Sequence, residues 1–198
     1  MFCFSPLKAG AALLALVLSV ACSTPPTVVS KNAQPSSAQS SQGELRFKTP
    51  DGWVSETHSS SMRVAQYRLP AAEGDNEAAS LVVYYFGPGQ GGSAEANLDR
   101  WTSQIQQADG SSSKSKARTE TMSVNGMKTT LLDVSGTYAG GGMGGDSSGP
   151  NKPNFRMRAG VVETPKGAYF VKLVGPEKTV GKWNDTFIAF VRSAEFKA

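Results

Sequence analysis

Cysteine occurs in this 198-residue chain only at Cys3 and Cys22, and histidine only at His58. Everything past residue 22 therefore has no thiol nucleophile, no Cys-x-x-Cys redox pair, no thiolate zinc site and no intramolecular disulfide. Its stability has to come from an apolar core, and with 39% apolar and 9% aromatic residues one domain of ordinary size can bury one. Long hydrophobic runs are also missing. Outside the N-terminus nothing approaches the roughly 18 consecutive apolar residues that span a bilayer, so a membrane attachment has to come from the N-terminus. Charge of one sign is scarce as well. The formal net charge is +4, but two of the 20 Lys and Arg residues, Lys8 and Lys31, precede residue 43, which leaves 18 basic against 16 acidic residues. The one basic cluster, Lys114, Lys116 and Arg118, lies in a Ser-rich stretch and reads as the solvated end of a strand. No nucleic-acid partner is expected.

What is present begins with a leader. Lys8 precedes a 13-residue run, Ala9 to Ala21, which has the length of a signal-peptide core and is too short to span a membrane. The run ends in Ser19-Val20-Ala21-Cys22-Ser23, which resembles the lipobox of bacterial lipoproteins, where cleavage precedes a Cys that carries diacylglycerol. It departs from that pattern at Ser19, where such proteins usually have Leu. The resemblance implies a signal peptide over residues 1–21, lipidation (palmitate and related acyl chains) at Cys22, and export to the bacterial cell envelope. With Ser23 next, it also implies the outer membrane facing the periplasm if the source is Gram-negative. The alternative is ordinary cleavage near the Ala21-Cys22 bond, releasing a soluble secreted protein. Residues 22–42 are a mixture of Ser, Pro, Gln, Thr and Ala with too little apolar surface to offset the entropy of ordering them, so they read as a flexible tether. Such a tether would hold a domain at 43–198 roughly 25 Å from the anchor.

Within that domain, 45–48 and 62–69 read as strands. Residues 81–86 are apolar on both alternating faces, which predicts a central strand covered on each side. Ser93 is a good N-cap for a helix with Ala94, Leu98, Trp101 and Ile105 on one face. Two strands, 116–124 and 127–138, are joined by Asn125-Gly126, the strongest hairpin signal in the chain. Strands at 155–162 and 168–174 follow, joined by the turn Pro165-Lys166-Gly167. A last helix has Pro176 in its first turn and Val180, Trp183, Phe187 and Phe190 on one face. Hairpin connections force antiparallel pairing, so the fold class is α+β: a mainly antiparallel sheet flanked by helices.

The Pro50-Asp51-Gly52-Trp53 turn, the 81–86 strand running into a helix that carries Trp101, the long hairpin and the Phe-rich last helix together resemble the PsbP and Mog1 superfamily. That superfamily includes many bacterial lipoproteins of unknown role. The resemblance implies an αβα sandwich and an accessory or binding role, and it carries over no catalytic residues and no cofactor.

Gly87-Pro88-Gly89-Gln90-Gly91-Gly92 fits G-x-G-x-x-G between a strand and a helix, as a dinucleotide site requires. Pro88, the acidic Glu95 in the first helical turn and the hairpin-linked strands that follow argue instead for a flexible strand-to-helix connection. The Gly-rich loop 139–154 lacks the Lys-Ser/Thr of a phosphate loop. Its length suits either a functional loop or a disordered insert. Gly87, Gly89, Gln90, Met143 and Asp146 are the candidate loop contacts. His58 with Ser59, Ser60 and Ser61 reads as a polar loop, since adjacency in sequence does not build a triad. Glu56, Asp133 and Asp146 show no metal-ligand spacing, and Trp53, Trp101 and Trp183 read as core. The chain is therefore expected to be an envelope lipoprotein with a non-catalytic domain that binds an envelope protein partner through loops at the sheet ends. The rival is a small-ligand or enzymatic pocket between sheet and helix, with the 87–92 and 139–154 loops at its mouth.

Overall fold

The computed structural model describes residues 44–58, 60–140 and 151–197. Cys22, the leader, the tether, Met143 and Asp146 lie outside the described residues. The described residues fall within one unit, Ser40–Ala198. In chain order the first elements are β1 (Glu44–Arg46), β2 (Val54–Ser55), β3 (Arg63–Leu69), β4 (Ala79–Tyr85), α1 (Ala94–Ser103) and β5 (Ile105–Gln106). After a single 3-10 turn at Ser113–Ser115 come β6 (Arg118–Val124), β7 (Met127–Tyr138), β8 (Lys152–Thr164), β9 (Gly167–Pro176), α2 (Glu177–Lys182), α3 (Asn184–Arg192) and β10 (Glu195–Lys197).

The main sheet runs β2-β3-β4-β9-β8-β7-β5, with β6 also paired to β7, and every pairing is antiparallel. β4 lies well inside it, as a strand apolar on both faces requires. Leu81 and Val83 point into one core layer, Val82 and Tyr84 into the other. The first layer, under α2 and α3, contains Leu131, Leu173, Phe187 and Phe190. The second, under α1, contains Trp101, Met157, Ala159 and Phe170. Helices on both faces make the αβα arrangement expected from the sequence. Each fully buried Phe contributes roughly 2–3 kcal/mol through apolar burial.

The Asn125-Gly126 hairpin is present, with both residues at positive φ (48° and 81°) as a primed turn demands. The Asn125 side chain also donates to Ala194 O at 2.8 Å, tying the hairpin to the end of α3. Four antiparallel steps separate β4 from β5, so β5 runs in the direction of β4 at the far side of the sheet. α1 is the crossover between them and passes over β9, β8 and β7.

The last helix differs from its sequence reading. It is two helices broken at Trp183, whose indole N–H donates to Pro70 O at 2.8 Å and whose ring packs against Gly52. Ile105, expected on the face of α1, has passed into β5. α2 has no side-chain cap of its own. Asp75 supplies one from 104 positions away, its carboxylate accepting from the backbone N–H (2.8 Å) and the hydroxyl (2.6 Å) of the buried Thr179.

Candidate functional site

Along β9, Tyr169, Val171 and Leu173 face α2 and α3, so Phe170 and Lys172 face α1. Lys172 thus lies in the middle of the sheet, between Val82 of β4 and Ala159 of β8 and beneath the C-terminal end of α1. It is only 7% exposed. Its ammonium donates to Gln104 Oε1 at 2.7 Å and to Tyr138 Oη at 3.4 Å, and lies 5.3 Å from the centre of the Tyr138 ring. Gln104 is the C-cap of α1, so the negative end of the helix dipole offsets part of the charge. Burial pushes the amine down to about 8, and the positive charge of Arg100 pushes in the same direction. The result is a buried cation held by neutral groups, with a second, exposed cation at the rim. Chemically it can offer N–H donors to an anionic or carbonyl oxygen, and near pH 8 it can exchange a proton.

The sequence reading missed Lys172. A signal was available: it is the one charged residue in the 168–174 run, and a lysine in a strand buried on both faces is out of place on composition alone.

The candidate loop residues behave differently. Gly87, Gly89, Gly91 and Gly92 all have positive φ. The segment is packed instead of slack. A Cβ on Gly91 would come within 2.6 Å of the Phe170 ring, and one on Gly167 within 3.0 Å of Gly87 O. Asn97 of α1 is buried. It donates to Gly91 O and Ser93 O, both at 2.8 Å, while Ser93 caps Ala96 N. The Phe170 contact accounts for Gly91, and positive φ for the other three glycines.

The residues that flank the two loops lie at opposite ends of β8, and residues 141–150 are outside the described residues. Tyr85, just before the 87–92 loop, pairs with Tyr169 beside the β8–β9 turn. Tyr138 and Lys152, which flank the 139–151 connection, pair at the other end of β8. A 13-residue strand separates these ends by roughly 40 Å.

A second polar cluster lies under α2. Asp133 accepts from Arg156 at 2.8 and 2.7 Å and pairs with Arg158 at 2.9 Å, while the Arg158 guanidinium lies 5.5 Å from the centre of the Phe187 ring. Burial would raise the Asp133 carboxyl, but the hydrogen bonds and charges of the two arginines outweigh it and hold the group below its ordinary value. This network ties β7 to β8.

His58 contacts Ser60 O through Nδ1 at 3.3 Å. Lys114 pairs with Asp99 at 2.9 Å. Among the described residues no group of three or more His, Cys, Asp or Glu side chains could hold a metal, and no helix is long and apolar enough to cross a membrane.

No protein-family model matches the chain, and no curated protein does. Solved structures do. LpqN of Mycobacterium tuberculosis, a protein involved in cell envelope biogenesis, is similar over 82% of this chain and 88% of its own, with 12% identity and a TM-score of 0.54. The PsbP of the cyanobacterium Synechocystis is similar over 81% of this chain and 96% of its own, with 14% identity and a TM-score of 0.44. At 12% identity the likeness to LpqN is one of fold.

Proposed function

We propose that the chain is a cell-envelope lipoprotein, anchored through Cys22, whose domain works by binding a protein partner and not by catalysis. The observation that carries this reading is the pairing of an LpqN-like fold with the Cys22 lipobox and tether. LpqN takes part in envelope biogenesis, and a domain of the same fold on a lipid leash suits work at that surface. Two experiments test the proposal. In cells fed labelled palmitate, the native chain takes up label and Cys22→Ser does not; a native chain that stays unlabelled refutes the anchor. Photo-crosslinking in intact cells traps an envelope protein; recovery of the free monomer alone refutes the partner.

Lys172 favours a second reading, a small-ligand pocket on the α1 face. A buried cation flanked by Arg100, Gln104 and Tyr138 suits a carboxylate or phosphate group. Thermal-shift screening against small carboxylates and phosphates separates the readings. A reproducible rise that Lys172→Met abolishes supports the pocket, and a flat response supports the protein partner.

A further inference from the structure

The large hydrophobic side chains that stand exposed among the described residues are Val54 (39%), Met62 (44%) and Val64 (43%), and all three belong to β2, β3 or the turn between them. Scattered single hydrophobes need no explanation, but these share one edge of the sheet. Val64 is the bulged residue at the register shift between Arg63 and Ala65, which turns its side chain out of the regular alternation. Beside it opens a crevice of about 340 Å³ lined by Phe47, Ala65, Tyr67 and Val83, with Glu44 and Arg46 at its border. Arg46 and Lys48 stand exposed nearby. Glu44 is the first described residue, so the tether reaches the domain at this crevice and not at the opposite, β6, edge of the sheet.

We infer that the β2–β3 edge around Met62 and Val64 is a membrane-contact face, by which the domain lies against the bilayer that holds its anchor. The inference rests on the lipoprotein reading above. A tether of some twenty residues keeps this edge at an effective concentration of about millimolar next to the bilayer, so a contact too weak to bind a free protein is occupied on the leash. Exposed apolar tips suit a membrane interface, and with Arg46 paired to Glu44 at 3.4 Å it is Lys48 that adds a net positive charge beside them, which favours an anionic one. The Val64 bulge and the short β2 strand disrupt the regular edge that an added peptide strand would need.

The test replaces the native anchor, so that it does not depend on lipidation of Cys22. The mature chain from Ser23 onward is joined at its amino terminus to a synthetic diacyl anchor in vesicles of phosphatidylethanolamine and phosphatidylglycerol. Because this chain contains no cysteine, Met62→Cys, Val64→Cys or Thr121→Cys each give one bimane site; Thr121 is exposed on β6. Doxyl-labelled lipid is expected to quench bimane at 62 and 64 severalfold more than at 121, and Met62→Glu is expected to remove the quenching at 64. Equal quenching at all three sites overturns the inference. So does a bimane blue shift at 62 and 64 that grows with surface density without quenching, which would place a second copy on this edge. Unchanged thermal melts of the labelled chains confirm that the fold is intact.

Discussion

Replacing Lys172 by Met removes a charge from the interior while keeping most of the stem that packs between Val82 and Ala159. The fall of the amine from 10.5 to about 8 corresponds to roughly 3 kcal/mol by which the folded state disfavours the ammonium relative to the unfolded chain. Against this gain, Met leaves Gln104 Oε1 without its 2.7 Å donor, a loss of about 1–2 kcal/mol. The variant should therefore be about 1–2 kcal/mol more stable than the native chain at pH 7. The pH dependence gives the sharper test. Below about pH 8 both states of the native chain hold the proton and the full cost is present. Between about 8 and 10.5 the folded lysine loses its proton while the unfolded one keeps it, so native stability rises with pH; above 10.5 the cost has gone. Lys172→Met lacks this slope, so its advantage should disappear and then reverse as the pH rises through that window. Urea unfolding of both chains from pH 6 to above 10 measures the difference, and subtraction cancels the other titrating groups. A constant difference across the range, or a Met variant less stable at pH 7, would refute the account of Lys172.

Asp75→Ala should cost about 1–2 kcal/mol, because it deprives α2 of its only side-chain cap and leaves Thr179 without an acceptor; loss of helical signal and a lower urea midpoint would show it. Asp133→Ala leaves Arg156 and Arg158 facing each other and should cost roughly 2–3 kcal/mol at pH 7. Since the Asp133 carboxyl lies below 3.8 in the folded state, its contribution is complete above about pH 4 and is lost as the pH falls through the depressed value. The native chain and the Ala variant should therefore converge in acid melts. Gly91→Ala should destabilise clearly more than Gly89→Ala, which has nothing within 4 Å of the new Cβ and bears only the strain of positive φ, about 1 kcal/mol. Equal midpoints for the two variants would show that the Phe170 contact is unimportant.

Where a signal is local, the sequence is a good guide to this fold. The two-sided apolar run at 81–86 announces a strand inside the sheet, Asn125-Gly126 announces the hairpin, and Ser93 announces the start of α1. The features it hides are set by partners distant in the chain. β1 pairs with β10 across some 150 residues, and β2 and β5 are too short to carry a period. The spacing of Val180, Trp183, Phe187 and Phe190 fits one continuous helix, yet the helix breaks at Trp183, the residue whose indole reaches Pro70. The site is hidden for the same reason. Lys172 stands out as the one charge in an apolar run, but its partners Gln104 and Tyr138 are 68 and 34 positions away and only the fold brings them to it. The Gly-rich segment 87–92 invites a ligand reading because the close contact that requires Gly91 is the Phe170 ring, 79 positions away.

The small ribbon of β1 and β10 stands apart from the eight-stranded sheet, with Glu44 opposite Lys197. Leu45 in the middle of its three pairs is buried in the core under α2 and α3 and donates its N–H to Tyr169 Oη at 3.3 Å, so closing the ribbon fastens the first and last described strands to one face of the sheet.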